Sequence, residues 1–444
     1  MKNAYSQQLQ EASVGQNRSE PMGRVSALKS LLVISIGNAM EWFDWTSYAI
    51  FSGYLAKNLF DSTKDQTALL NTLAVFAVGF VARPIGGVLF GRLADTRGRR
   101  YVMVATTVMM AIGSAVVGLI PSYSHLGIYS AVILIVARLA QGLAHGGEGA
   151  TSYPYICEIA PARSRGLWSS VVFGAVSVGA LIATGLGALL THLLSSDQML
   201  AWGWRVPFLG GSLLGVYAGF MRRGMAESKV FEESVNSPKV EKAKATQGGR
   251  GLSRAAVLRL VTLTAGASVT YYTWSAFASS YAVAVKGMAS KDAFIASLGA
   301  QLVGLVALPI CGALSDRVGR RTVCMAFSAG FIVLSFPLDR MLSDQPWTLF
   351  VSQSVALIIW AMITAIHPAL MSEQVPTGVR ATAIGAINSL SVAIFGGTAP
   401  FLAAYLSGKG VHYLFVSYVI AICAATFLVS WQMPETKGVS LDEV

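Results

Sequence analysis

GRLADTRGRR, residues 91–100, and GALSDRVGRR, residues 312–321, are one loop written twice. Gly91, Asp95, Gly98, Arg99 and Arg100 return in register as Gly312, Asp316, Gly319, Arg320 and Arg321. A second echo follows each copy. EIAPARSRG carries Glu158, Pro161 and Arg165, and EQVPTGVRA carries Glu373, Pro376 and Arg380 at the same spacings. A third echo, AES at 226–228 against PET at 434–436, closes each half. The chain is two copies of one plan.

Long apolar blocks fill the space between the echoes. Of 444 residues 54% are hydrophobic and 12% charged, and mean hydropathy is +0.57; soluble proteins carry about 25% charged residues. Crossing a ~30 Å hydrocarbon core takes about 20 residues. Twelve spans are expected, near 29–56, 68–92, 101–120, 126–155, 167–192 and 204–222, then 257–285, 293–315, 322–341, 347–371, 381–407 and 411–433. The reading is an all-α polytopic membrane protein, six spans to each half. A tail at 1–28 precedes a bundle at 29–223. A polar linker at 224–256, rich in Lys, Glu, Ser and Gly, leads to a bundle at 257–433 and a tail at 434–444. The first 28 residues lack an apolar core with a small-residue cleavage site, so no leader is expected to be removed.

The net charge of +11 is topological. With the N-terminus cytoplasmic, 24 of the 33 Lys and Arg fall on cytoplasmic segments and six on the opposite side. This is the bias that orients membrane proteins, not a nucleic-acid patch. Cys157, Cys311, Cys324 and Cys423 have no ligand spacing, so neither a metal nor a disulfide framework is expected. Neither HExxH nor a Walker-type phosphate loop occurs, which speaks against a metalloprotease or an ATP-driven pump.

Repeated halves are characteristic of secondary transporters, which rock one bundle against the other around a central site. The doubled loop resembles that of the major facilitator superfamily, over nearly the whole chain. More narrowly, GNAMEWFDWTSY, ARPIGGVLFGRLAD, RLAQGLAHGGEGA and WGWRVPF resemble the metabolite:proton symporter family, whose members carry small organic acids or zwitterions. One departure is Thr96, where that family usually has a basic residue; here the charge moves on to Arg97. The resemblance implies two pseudo-symmetric six-helix bundles, no cofactor beyond a proton gradient, and a first and fourth helix that line the central cavity.

Glycines let the doubled loop turn tightly. Asp95 with Arg99 and Arg100, and Asp316 with Arg320 and Arg321, can then bond neighbouring helix ends. With Glu158, Arg165, Glu373 and Arg380 they are read as a cytoplasmic gate. The competing reading makes the arginines orientation signals only.

Charges inside a membrane mark function by default. The first half holds Glu41, Asp44, Arg83, Arg138, Glu148 and Arg205; by motif register Arg83, Arg138 and Glu148 correspond to Gly304, Gln353 and Ile363. Scaffolding would repeat, so the asymmetry favours chemistry. At ~100° per residue, Glu41, Asp44 and Tyr48 share one helical face, as do Arg138, Gln141, His145 and Glu148. Both stripes are expected to face the cavity. Three arginines balance three carboxylates, so protonating one carboxylate leaves room for an anion. Glu41 or Asp44 is the expected proton carrier; Glu148 is a third candidate that a pair with Arg138 would remove. His145 is either a relay or a helix contact. Arg83 and Arg138 are expected to grip the substrate carboxylate, with Arg205 a further candidate unless it only caps its helix. Arg83 could instead be a structural ion pair. Tyr271 and Trp274 suggest an aromatic wall, although such residues also anchor at interfaces. His367 is read as packing at a kink.

The function expected is proton-coupled import of a small organic anion, such as a dicarboxylate, tricarboxylate or aromatic acid, by a monomer in the inner or plasma membrane. Alternatives are a zwitterion symporter for proline or betaine, or a drug:proton antiporter, which three membrane arginines suit poorly. A transporter-like receptor would need a larger output domain, and no enzyme site emerges.

Overall fold

The computed structural model describes residues 24–60, 65–228, 231–232 and 252–441. Most of the N-terminal tail, most of the linker and the last three residues lie outside the described residues. No strand occurs among those described. The first six spans are α1 (Arg24–Leu59), α2 (Asp65–Arg97), α3 (Arg99–Leu119), α4 (Ile128–Ile159), α5 (Arg165–Leu193) and α6 (Arg205–Arg223). The second six are α7 (Arg254–Tyr271), α8 (Ser290–Val318), α9 (Arg320–Met341), α10 (Pro346–Thr364), α11 (Arg380–Ser391) and α12 (Tyr413–Gln432).

Three of these spans are broken. The seventh passes through a π-helical turn, Tyr272–Phe277, into Ala278–Lys286. The tenth resumes at His367–Ser372, and the eleventh passes a π turn, Val392–Gly396, into Ala399–Gly408. Such interruptions are tolerated in lipid only where protein or a cavity satisfies the freed backbone groups.

Among the described residues, eight helices are long and apolar enough to qualify as spans on composition alone. Polar residues lower the hydropathy of three others: α1 carries Glu41 and Asp44, α6 has arginines at both ends, and α7 carries two arginines.

Within the first six helices, α2 packs on α4, α3 on α4 and α6, and α1 on α5 and α6; within the last six, α8 packs on α10 and α9 on α12. The two bundles meet where α2 crosses α11 and α5 crosses α8. Small residues let helix backbones approach this closely. A Cβ on Gly146 would lie 2.0 Å from the Arg83 carbonyl, and one on Gly91 2.6 Å from the Thr382 Cα.

Gly98 (φ 99°, ψ 156°) and Gly319 (φ 101°, ψ 158°) turn the two loops in a region open essentially to glycine. A Cβ there would also strike the carboxylates of Glu227 and Glu435. Gly319→Ala is therefore expected to cost about 1–3 kcal/mol of backbone strain. A thermal-shift measurement reads this as a lower unfolding temperature, with a smaller effect for an exposed, unstrained position such as Gly408→Ala.

Candidate functional site

A cavity of about 90 Å³ lies between the bundles, and α1, α2, α4, α5, α7, α10 and α11 all contribute to its wall. Glu41, Arg83, His145 and Glu148 line it from the first bundle; Tyr271, Tyr272, Trp360, Thr364 and His367 line it from the second. The charged half faces an aromatic and hydroxylated half.

The expected stripes divide. Asp44, Arg138, Gln141 and Tyr48 do not line the cavity but are buried behind it between α1, α3 and α4. Asp44 accepts from Arg138 Nη1 at 3.2 Å, from Gln141 Nε2 at 2.9 Å and from Ser114. The Arg138 guanidinium lies 3.8 Å from the Tyr48 ring centroid. The physical reason is angular: three residues along a helix turn a side chain by about 60°, enough to move it from a cavity wall to a helix seam.

Glu148 pairs with Arg222, not with Arg138. The pair is bidentate, at 2.7 Å and 2.6 Å. Arg222 also donates to the Thr107 hydroxyl at 2.6 Å. By position Arg222 ends the sixth expected span and counts among the cytoplasmic basic residues; its long side chain reaches back into the bundle over Gly37, where any Cβ would collide with the guanidinium. A glycine one helical turn before Glu41 is the signal that could have revealed it.

Arg205 also needs correction. Its guanidinium donates to the Gly118 and Ile120 carbonyls at 3.1 and 2.7 Å and stacks 4.3 Å from the Trp204 ring centroid. It caps the end of α3 and lies outside the cavity wall. Arg205→Gln is expected to lower thermal stability while transport stays within about threefold of wild type, since removing a typical hydrogen bond costs about 0.5–1.5 kcal/mol. Trp274 is likewise absent from the cavity wall. It packs in the second bundle, where Gln353 donates to its carbonyl at 2.8 Å. The π turn at Tyr272 breaks the regular spacing, so Tyr272 joins Tyr271 at the cavity instead.

Two charged groups remain. Arg83 lies 4.1 and 4.0 Å from the Trp45 and Phe80 ring centroids and hydrogen-bonds the Tyr272 hydroxyl. Among the described residues no carboxylate is within ion-pair distance of it. Glu41 meets Nδ1 of His145 and, among the described residues, has no arginine at ion-pair distance, although Arg83 acts on it electrostatically across the cavity.

The doubled loops meet at one face of the molecule, here termed the motif face. Asp95 accepts from the backbone N–H groups of Ala381 and Thr382 at 3.1 and 2.8 Å, capping α11. Asp316 accepts from those of Gly166 and Leu167, both at 2.9 Å, capping α5. Each bundle thus caps a helix of the other with a carboxylate, the sign favoured at a helix N-terminus. Glu158 draws together Arg99 at 3.4 Å and Arg380 at 3.1 Å; Glu373 draws together Arg165 at 3.0 Å and Arg320 at 3.3 Å.

The second arginine of each loop departs from expectation. The side chains of Arg100 and Arg321 stay outside this carboxylate network; Arg100 donates to the Met225 carbonyl at 2.9 Å. Sequence reasoning assigned no role to Glu227 and Glu435. Glu227 accepts from the Arg99 and Arg100 N–H groups at 3.1 Å each, and Glu435 from those of Arg320 and Arg321 at 2.8 and 3.1 Å. Their signal was the AES/PET echo, whose Ser228 and Thr436 also bond Glu158 and Glu373.

The family model of the Major Facilitator Superfamily matches residues 34–400. The chain belongs to the major facilitator superfamily. It is 35% identical over 410 residues to the alpha-ketoglutarate permease of Escherichia coli K12, covering 92% of this chain and 94% of that one. It is 30% identical over 418 residues to the proline/betaine transporter of the same strain, covering 90% and 82%. Among solved structures, the proton:xylose symporter XylE bound to 6-bromo-6-deoxy-D-glucose superposes with a TM-score of 0.82 at 18% identity, covering 95% of this chain and 99% of that one. The chain is therefore a multi-pass membrane transporter, not an enzyme, built as two six-helix bundles.

Proposed function

We propose that this major facilitator protein imports a small organic anion together with a proton, by alternating access, as a monomer in the inner or plasma membrane with both termini cytoplasmic. The carrying observation is Arg83: a guanidinium in the cavity wall with no carboxylate at ion-pair distance among the described residues. Arg138 is closed by Asp44 and Arg222 by Glu148, so three arginines still balance three carboxylates once Arg222 replaces Arg205. Among the described arginines and carboxylates that line the cavity, Arg83 and Glu41 are left to respond to what enters it.

When Glu41 is ionised, its charge compensates Arg83 across the cavity. When it takes a proton, with His145 as the adjacent relay, Arg83 is left as an unbalanced cation that attracts a substrate carboxylate. Each ligand favours the other, and the coupling is reciprocal. Arg83 grips the carboxylate, and Tyr271, Tyr272 and Trp360 cover the apolar body. On the motif face, which this reading makes cytoplasmic, the Asp95 and Asp316 caps and the Glu158 and Glu373 clusters form the gate that parts to release substrate. No cofactor enters; the proton gradient drives the cycle. The 35% identity to an alpha-ketoglutarate permease supports the anion class.

A second reading keeps the fold and changes the substrate. Trp42, Tyr271 and Trp360 present rings to the cavity, a surface on which a quaternary ammonium binds, and relatives described as proline/betaine transporters share 30–31% identity. The test is external pH in proteoliposomes on adding di- and tricarboxylates, aromatic acids, proline and betaine. Alkalinisation with the acids supports anion symport. Alkalinisation with proline or betaine alone transfers the case to the zwitterion, and no response from folded protein overturns proton coupling.

A further inference from the structure

The wall opposite Arg83 carries a hydrogen-bonding demand of its own. The tenth span breaks at residues 365–366, ahead of Pro368, whose nitrogen offers no N–H to the Thr364 carbonyl. Thr364 and His367 flank the break, and both line the cavity. Across from them on α7, Thr264 Oγ1 lies 2.8 Å from the Leu260 carbonyl and 3.1 Å from His367 Nε2.

One tautomer matches a Thr264 hydroxyl turned to the Leu260 carbonyl. A hydroxyl has one hydrogen to donate and a carbonyl can only accept, so in that arrangement the Thr264 oxygen meets His367 as an acceptor. Nε2 then carries the ring hydrogen, and in the neutral imidazole Nδ1 is a bare acceptor. His367 is 3% exposed and Thr364 2%, and neither His367 Nδ1 nor Thr364 Oγ1 has a hydrogen-bond partner among the described residues. Tyr153 and Phe173 stand edge-on to the ring at 5.9 and 6.2 Å and hold its plane. A buried acceptor left unmade is costly, so the group that satisfies it is favoured over an analogue lacking it.

We propose that His367 Nδ1 and Thr364 Oγ1 form a second subsite that receives a substrate hydroxyl, making the preferred substrate a hydroxy acid. Its carboxylate faces Arg83; its hydroxyl donates to His367 Nδ1 and accepts from Thr364. This rests on reading the cavity as an anion site. An ionised second carboxylate, a keto oxygen or a quaternary ammonium offers His367 no hydrogen. An ammonium could donate to His367 but could not accept from Thr364.

Full-length protein in proteoliposomes tests this by competition between matched acids. The pairs are malate against succinate, and 3-hydroxybenzoate against benzoate, each titrated against uptake of one labelled acid. The hydroxylated member is expected to compete at least about tenfold better in the pair whose size fits, within the range set by an unmade buried acceptor. His367→Leu should erase that preference while succinate or benzoate still competes. His367→Asn, which keeps an acceptor, should restore part of it, and Thr364→Val should reduce it without changing side-chain volume. Thermal melts confirm that each variant is folded. Equal competition by both members of each pair overturns the subsite and leaves the anion reading intact. The subsite is likewise overturned if proline or another amine outcompetes every hydroxy acid. If no acid competes or moves a proton, the anion reading falls, and this inference falls with it.

Discussion

Arg83→Gln is expected to reduce carboxylate uptake by roughly 30-fold or more, since truncating a charge that is paired and desolvated in the bound state costs about 2–5 kcal/mol. The protein should remain folded. Among the described residues Arg83 has no carboxylate at ion-pair distance to strand, and Glu41 across the cavity can take up a proton; the ring contacts with Trp45 and Phe80 are partly kept by a glutamine stem. Arg222→Gln is the contrast: it strands Glu148 in the bundle, and breaking a buried pair in that way costs about 3–5 kcal/mol. Radiolabelled uptake beside a thermal melt separates the two. Arg83→Lys should fall between wild type and glutamine, because an ammonium keeps the charge but loses the planar fork and the stacking. Uptake by Arg83→Gln within threefold of wild type would remove the anchor from the mechanism.

Glu41→Gln should lose proton-driven accumulation while retaining substrate exchange. A glutamine imitates the protonated carboxyl, so Arg83 stays ready for an anion at every pH, and both half-cycles with substrate bound remain possible. What disappears is the return step that needs an ionised carboxylate to compensate Arg83 in the empty cavity. Exchange across the membrane should become nearly independent of pH, whereas wild-type accumulation follows the proton gradient. Asp44→Asn should behave differently, because Ser114, Arg138 and Gln141 all converge on that carboxylate. Its expected result is a destabilised protein with impaired uptake. If Asp44→Asn is instead stable and shows exchange without accumulation, while Glu41→Gln still accumulates, the proton rides on Asp44.

The doubled loops, the Glu-Pro-Arg echoes and the twelve spans are legible in the sequence because each depends on local spacing. The face-to-face placement of Asp95 with α11 and Asp316 with α5 is a consequence of pseudo-symmetry and follows once the repeat is seen. The site is only half legible. Periodicity finds the polar side of α1 and of α4, but cannot separate Glu41 from Asp44, since a turn of about 60° decides between cavity and seam. It also assigns residues by where their backbone lies, and so misplaces Arg222, whose head sits far from its Cα. Regular periodicity assumes an unbroken helix, and the π turn after Tyr271 carries Trp274 away from the position that the pattern implied.

Where α2 crosses α11 and α5 crosses α8, the two halves touch through glycine and backbone: Gly87 on Gly385, Gly91 on Thr382, Gly312 on Gly166. A seam packed with leucine would resist parting by about 1.5–3 kcal/mol for each side chain returned to water. Beside an apolar contact of Leu93 and Ala94 with Ala381, this seam coheres through carboxylates holding peptide N–H groups and through the Arg165–Glu373 and Arg380–Glu158 pairs, bonds for which water is a ready substitute. Adhesion of that kind is strong when dry and weak when wet. In the transport cycle proposed above, water entering the crossing would replace these bonds as the halves part.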